Sequence, residues 1–170
     1  VENGKDDGTG FVPPGSGATS VKTEVQIKNP RTETSMDGYF RVAIAPIFPK
    51  SSDPLTLVEA NVTYPGTSEN TITIKTRLEE SGYIITMADN WSQNWLFIDG
   101  YYYCIKPVAP GSSTPLLIKS VSRNGGAVDP KWNSMRVEVL AEGVQAYWST
   151  NSQVGNWPVK VDSQGNLKAL

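Results

Sequence analysis

Hydrophobic and polar positions alternate with a period of two along most of this chain, and the alternating runs are short. Val21 to Lys28 sets Val21, Thr23, Val25 and Ile27 on one side and Lys22, Glu24, Gln26 and Lys28 on the other, the mark of a strand with one face buried. Asn29-Pro30 ends it. Gly38 to Pro46 repeats the pattern, with Phe40, Val42 and Ile44 opposite Tyr39, Arg41 and Ala43, and the proline-punctuated run from Pro46 to Pro54 reads as a loop. Shorter strands are predicted for Leu55 to Thr63, Thr71 to Lys75 and Tyr83 to Met87, set apart by the turn signals Pro65-Gly66 and Glu79-Glu80-Ser81-Gly82.

The densest stretch runs from Asn90 to Val121. Asp99-Gly100 stands between Trp95-Leu96-Phe97-Ile98 and Tyr101-Tyr102-Tyr103-Cys104-Ile105. This is a strong hairpin signal, because a type I′ turn needs φ > 0 at both central positions. Period two puts Tyr101, Tyr103 and Ile105 on one face and Tyr102 and Cys104 on the other, and one of these faces is expected to meet the core. Pro107, Pro110 and Pro115 lack the N–H that a ladder needs, so the chain must leave the sheet there, and Leu116 to Val121 is predicted as the next strand, in a different sheet or at a distance. Phe40, Val42, Ile44, Val137 and Val139 are the expected interior between the sheets, and only Thr150 to Val154 has any helical character. Short strands at spacings near ten residues predict an all-β, antiparallel β-sandwich with short helical turns at most.

Composition changes the picture in one place. Residues 1 to 20 hold Gly, Ser, Pro and Asp with only Phe11 and Val12 as sizeable interior hydrophobes, which reads as a flexible arm ahead of a single domain over residues 21 to 170. A net charge of −2 without a basic run leaves no electrostatic footprint for nucleic acid. No run is apolar enough to span a bilayer and no signal peptide is visible, so the chain reads as mature and soluble, with no membrane insertion.

Candidate chemistry is sparse. The chain contains no histidine, which removes the commonest general base, the Ser-His-Asp and Cys-His constellations and the HExxH zinc site. Glu79-Glu80 and Asp6-Asp7 are paired acids in a turn and an arm, positions where carboxylates are usually solvated. Cys104, the one cysteine, falls in a predicted strand with no basic neighbour to lower its pKa. Catalytic residues, a metal site and a cofactor are therefore not expected. Trp91, Trp95, Tyr101, Tyr102 and Tyr103 are a candidate aromatic binding surface for a glycan, set against their use as core and cross-strand pairs.

The residues of the hairpin and crossing carry a resemblance. Trp95 with Asp99-Gly100-Tyr101-Tyr102-Tyr103-Cys104-Ile105-Lys106-Pro107-Val108-Ala109-Pro110-Gly111 through Thr114-Pro115 resembles a segment of the TasA/camelysin family, Gram-positive surface and biofilm-matrix proteins exported with a SipW-type signal peptidase. Val25 to Asn29 with Gly38 to Pro46, Met135 to Ala146, and the ending from Trp157 to Leu167 extend the likeness over about residues 21 to 167. The resemblance implies a jelly-roll sandwich, secretion to the cell surface or matrix, and a structural protein associating with itself or other matrix proteins by β-strand addition. Some members carry a protease label, which the absence of histidine counters. A surface module binding a glycan or host protein is the alternative. Phe11 and Val12 are the candidate donor segment of the arm, although Pro13-Pro14 beside them removes two donors.

Overall fold

The computed structural model describes residues 20–50, 53–58, 60–64, 69–76, 80–123 and 136–170. In chain order these form β1 (Ser20–Val25), β2 (Gly38–Lys50), β3 (Asp53–Val58), β4 (Ala60–Thr63), β5 (Thr71–Thr76), β6 (Glu80–Met87), one helical turn α1 (Trp91–Asn94), β7 (Trp95–Ile98), β8 (Tyr101–Cys104), β9 (Ile118–Arg123), β10 (Arg136–Gln145), β11 (Val159–Val161) and β12 (Leu167–Ala169). One sheet runs β1-β9-β6-β5-β4, a second runs β10-β2-β8-β7 with β3 also on β2, and β11 pairs with β12. The pairings are antiparallel, and the fold is all-β and sandwich-like.

Alternation explains the interior. Val25, Ile72, Ile85, Ile118 and Val121 of the first sheet meet Val42, Ile44, Trp95, Tyr102, Cys104 and Val137 of the second. Each fully buried aliphatic chain contributes about 1.5–3 kcal/mol of apolar transfer. Val42, Ile44 and Val137 are buried as expected, while Phe40 and Val139 are partly buried at the margin of the same cluster. β10 lies against β2 without a break in register, from Arg136 opposite Ile47 to Gln145 opposite Gly38.

The predicted hairpin is present. Ile98 pairs with Tyr101, and Asp99 and Gly100 take φ of 50° and 82°, the type I′ turn that suits the twist of its strands. As predicted, the chain changes sheets between β8 and β9, through a crossing with isolated bridges at Val108 and Ser113.

Several sequence expectations are corrected. The Pro46 to Pro54 run is a strand pair rather than a loop: β2 continues to Lys50 and β3 begins at Asp53, with Pro49 opposite Leu57 and a register shift beside it. Proline is tolerated at such an irregularity because the ladder N–H it lacks is not required there. Leu55 to Thr63 is not one strand but parts of β3 and β4, which belong to different sheets. Glu80, Ser81 and Gly82 open β6 instead of turning, at a shift in the β5 pairing. Thr150 to Val154 is a turn, with Asn151 at φ 66°, and the helical turn falls at Trp91–Asn94. Ser20, expected in the arm, starts β1, and residues 1–19, with Phe11 and Val12, lie outside the described residues.

The largest correction concerns the second sheet, because both of its faces are covered. The outer face carries a second cluster, in which Tyr39 and Tyr103 meet Val154, Trp157, Val159, Val161 and Leu167 of the C-terminal segment. The Tyr39 hydroxyl donates to the Gly165 carbonyl at 2.7 Å, and the Leu167 amide donates to the Ile105 carbonyl at 2.8 Å. The β7–β8 hairpin is therefore apolar on both sides.

At Gly100 an added Cβ would meet nothing within 4 Å, yet φ is +82°, so backbone strain alone penalises a side chain there. Gly100→Val is expected to lower stability by roughly 1–3 kcal/mol in urea denaturation. An unchanged midpoint would show that the turn relaxes to another type.

Candidate functional site

The candidate aromatic surface does not exist as a surface. Trp91, Trp95, Tyr102 and Tyr103 are buried, and Tyr101 is half-buried. Most of these residues serve as core and cross-strand pairs, the use set against the glycan surface, because both faces of the second sheet are covered. Trp91 meets the Tyr102 ring edge-on at 5.6 Å, and Tyr102 meets Phe97 at 4.7 Å, inside the sandwich. Tyr103 meets Trp157 edge-on at 5.5 Å on the other side. Burial raises the Tyr102 phenol pKa, with a smaller effect from Tyr64, and its hydroxyl has no hydrogen-bond partner among the described residues. Cys104 is fully buried, its thiol pushed up to about 12 by burial while Sγ donates to the Lys106 carbonyl at 3.4 Å. A thiol so protonated and enclosed is a poor nucleophile.

Arg41 joins the layers. Its Nε and Nη2 donate to Glu142 Oε2 at 2.9 and 2.6 Å, Nη1 reaches the Tyr103 hydroxyl at 3.4 Å, and its guanidinium lies 4.2 Å from the Tyr101 ring centre and 5.0 Å from that of Trp157. Burial by itself would lower its pKa, but the hydrogen bonds to Tyr103 and Glu142 outweigh this and raise it. The charge is satisfied within the protein, so this cluster binds the C-terminal cover to the sheet.

Two surface features remain. The first is the edge of β10, which lies at the end of its sheet with no further strand among the described residues. It is ten residues long and contains no proline, lysine or register shift, while Arg136, Glu138 and Glu142 supply charges, another of the devices that blunt an edge. Leu140, at its middle, is 54% exposed.

The second is a groove of 240 Å³ where β2 begins and β10 ends. Its floor is Phe40, whose ring lies against two glycines: a Cβ at Gly143 would come within 2.7 Å of it and one at Gly38 within 3.1 Å. One wall is the segment from Pro30 to Asp37, and the other is Val144 and Gln145. Asn29 holds the first wall in place. Its side-chain nitrogen donates to the Met36 carbonyl at 3.0 Å and the Val108 carbonyl at 2.7 Å, its amide donates to the Ser112 carbonyl at 2.9 Å, and its carbonyl accepts from the Gly111 amide at 2.8 Å. The Ala146 amide donates to the Asp37 carbonyl at 2.8 Å and closes the two walls at one end. Next after Ala146 in the chain, Tyr147 is 64% exposed and stacked on Trp148, ring centres 5.1 Å apart and 16° from parallel. Sequence reasoning missed this groove and Tyr147. The Tyr-Trp pair directly after a strand was the one visible signal, and exposure cannot be read from it.

A larger hollow of 430 Å³ is lined by Glu24, Asp89, Leu116 and Lys119. Lys119 and Asp89 pair with each other at 2.9 Å and are both exposed, an arrangement worth little in stability. Among the described residues no three His, Cys, Asp or Glu gather as a metal site, and no helix is long and apolar enough to cross a membrane.

Comparison of the chain with family models, with curated proteins and with solved structures finds no match.

Two outcomes follow from the anchors of these surfaces. Asn29→Ala removes two side-chain bonds and leaves the buried Val108 carbonyl without its Asn29 partner, so a loss of roughly 1–3 kcal/mol is expected in denaturant melts. A smaller effect would mean that water replaces the amide. At the C-terminal hairpin, Asp162 Oδ1 accepts from the Asn166 and Gln164 amides at 2.9 and 2.8 Å. The Asn166 amide above all, with that of Gln164 and the charge of Lys168, holds the Asp162 pKa below its ordinary 3.8 against some desolvation. A carboxyl lowered by folding stabilises above its unfolded pKa, and that contribution is lost as pH falls through the folded value. NMR titration should place the Asp162 midpoint below 3.8, with loss of the turn only in acid; a midpoint above that value would contradict the bonding.

Proposed function

We propose that this chain is a non-catalytic structural protein of a Gram-positive cell surface or biofilm matrix, of the TasA/camelysin kind, with its strands in a jelly-roll arrangement. It associates with copies of itself or with other matrix proteins by adding a β-strand to the edge of β10. The observation that carries this reading is that edge, ten residues in unbroken register with no proline, lysine or bulge, although Arg136, Glu138 and Glu142 place charges along it. In strand addition, main-chain hydrogen bonds supply affinity and need no particular side chain on the acceptor. The resemblance over residues 21 to 167 supports an exported, extracellular setting. The buried state of Cys104 and the absence of histidine support a role without catalysis.

The donor is the weaker partner. Residues 1–19 offer Phe11 and Val12, but Pro13-Pro14 and the surrounding glycines make ordering costly. Assembly therefore needs high concentration or a second component, and the protein is monomeric or weakly associating in dilute solution.

Electron microscopy of the concentrated protein, with light scattering, tests the reading. Filaments or large oligomers are expected from the intact chain and not from Leu140→Lys, whose melting should be unchanged because the position is exposed. Filaments from Leu140→Lys equal to those of the parent would exclude the β10 edge. Filaments from a chain lacking residues 1–18 would exclude the arm as donor. Absence of association at every concentration would overturn the assembly reading.

A further inference from the structure

We propose that the Phe40 groove is the side-chain pocket of the β10 edge and selects the strand that adds there: a basic, extended segment of another protein, with one large apolar residue opposite Gly143. This deepens the strand-addition reading and rests on it.

The hydrogen-bond pattern fixes which groups of β10 an added strand meets. The Ala146 amide donates to the Asp37 carbonyl at 2.8 Å, one step beyond the unbroken register in which Gln145 lies opposite Gly38 and Gly143 opposite Phe40. Backbone groups of an antiparallel strand turn alternately to one neighbour and the other. The even-numbered amides of β10 therefore turn to β2, and those of Val139, Ala141 and Gly143 turn to the free edge. Gly143 offers both its amide and its carbonyl there. A strand added antiparallel, like the pairings of both sheets, exchanges two hydrogen bonds with Gly143 through one residue, and directly opposite residues share a face. That residue points its side chain to the face on which Phe40 lies.

At this register the edge strand has no side chain of its own. The Phe40 ring leans across instead, so close that a Cβ at Gly143 would come within 2.7 Å of it. The ring is thus the surface that an incoming side chain meets. The groove around it, 240 Å³ and lined also by Gly38, Met36, Val144 and Gln145, is smaller than the ~300–1,000 Å³ of sites that enclose drug-sized molecules. It suits a single leucine, methionine or phenylalanine side chain. Met36 is 51% exposed, and its unbranched thioether adapts to the shape that enters. In strand addition the main chain supplies affinity and such pockets supply specificity.

Charge selects the partner. The groove lining contains Asp37 and no lysine or arginine. Along β10 follow Glu138 and Glu142, the second already paired with Arg41 at 2.6 Å. An acidic edge favours a basic strand and disfavours an acidic one. A second copy of β10 would bring two glutamates against one arginine to the same edge, and the arm of this chain brings Asp6 and Asp7 ahead of Phe11 and breaks at Pro13-Pro14. Both fit less well than a strand with lysine or arginine beside Asp37 and opposite Glu138.

The probe is the decapeptide acetyl-Thr-Lys-Thr-Phe-Thr-Val-Thr-Val-Lys-Thr-amide, which in this register sets phenylalanine opposite Gly143 and its lysines opposite Gln145 and Glu138. NMR titration and amide hydrogen exchange are read on the dilute full chain. Binding on the order of 0.1–1 mM is expected, with exchange slowed at Val139, Ala141 and Gly143 and unchanged at Leu140 and Glu142, whose amides already face β2. Threonine in place of the phenylalanine, or glutamate in place of both lysines, should weaken binding roughly tenfold or more. Binding indifferent to the phenylalanine would overturn the pocket and leave strand addition standing. No binding of the decapeptide, while filaments of the intact chain are lost in Leu140→Lys, would overturn this proposal alone; binding that leaves the three amides unprotected would overturn it together with the strand-addition reading. Tighter binding of the glutamate peptide, or of peptides spanning residues 3–12 or 136–145 of this chain, would give the edge to a different occupant and likewise overturn the proposal.

Discussion

Arg41 sits at an outward-facing position of β2, where alternation alone would send a charged side chain into water, and instead it is enclosed by Tyr101, Tyr103, Trp157 and Glu142. Moving a guanidinium out of water is costly unless its donors are met and its charge is countered. Here Glu142 counters the charge, the Tyr103 hydroxyl takes a further donor, and the aromatic rings supply cation–π attraction of about 0.5–2 kcal/mol each. The residues involved come from β2, β8, β10 and the C-terminal segment. One side chain thus couples the sheet to its cover, and removing it would leave Glu142 without its partner and an aromatic cavity beneath Trp157.

The C-terminal cover has consequences well beyond its own residues. A sandwich needs only its facing surfaces to be apolar, and the outer face of each sheet is ordinarily solvated. With β11 and β12 packed on the second sheet, Tyr39, Tyr103 and Leu167 become core residues, and aromatic side chains on both sides of the β7–β8 hairpin are withdrawn from any ligand. The glycine pair at Gly38 and Gly143 makes room for the Phe40 ring, since only backbone fits beside it at those points.

The crossing between the sheets is held by backbone and amide bonding more than by apolar contact. Asn29 is buried and bonded through its amide, its carbonyl and its side-chain nitrogen, and the buried Thr114 hydroxyl accepts from the Ile27 amide at 2.9 Å. Buried polar groups satisfied in this way fix one geometry where a sliding apolar contact would allow several. The proline-rich crossing, which lacks donors of its own at Pro107, Pro110 and Pro115, depends on these partners, and the wall of the groove is fixed by the same residue that anchors the crossing.

Local patterns were legible in the chain because their causes are local. Alternation in β1 and β2 follows from the two-residue period of a strand, the Asp99-Gly100 turn from the positive φ that a type I′ turn requires, and the departure after Cys104 from the missing N–H of proline. Those features place the residues of the all-β class and half of its interior. What the tertiary structure alone decided are matters of partnership. Leu55 to Thr63 reads as one strand, but its halves join different sheets, since no local property of a β-prone run says which neighbour it will find. Pro46 and Pro49 look like breakers yet both lie within β2, Pro49 beside a shift in register. The Tyr101 and Tyr103 face of the hairpin is covered by the C-terminal segment, a cover of which the local pattern carries no record. Tyr147, Met36 and the edge of β10 are exposed for the complementary reason: solvent access is what remains after every other segment has been packed.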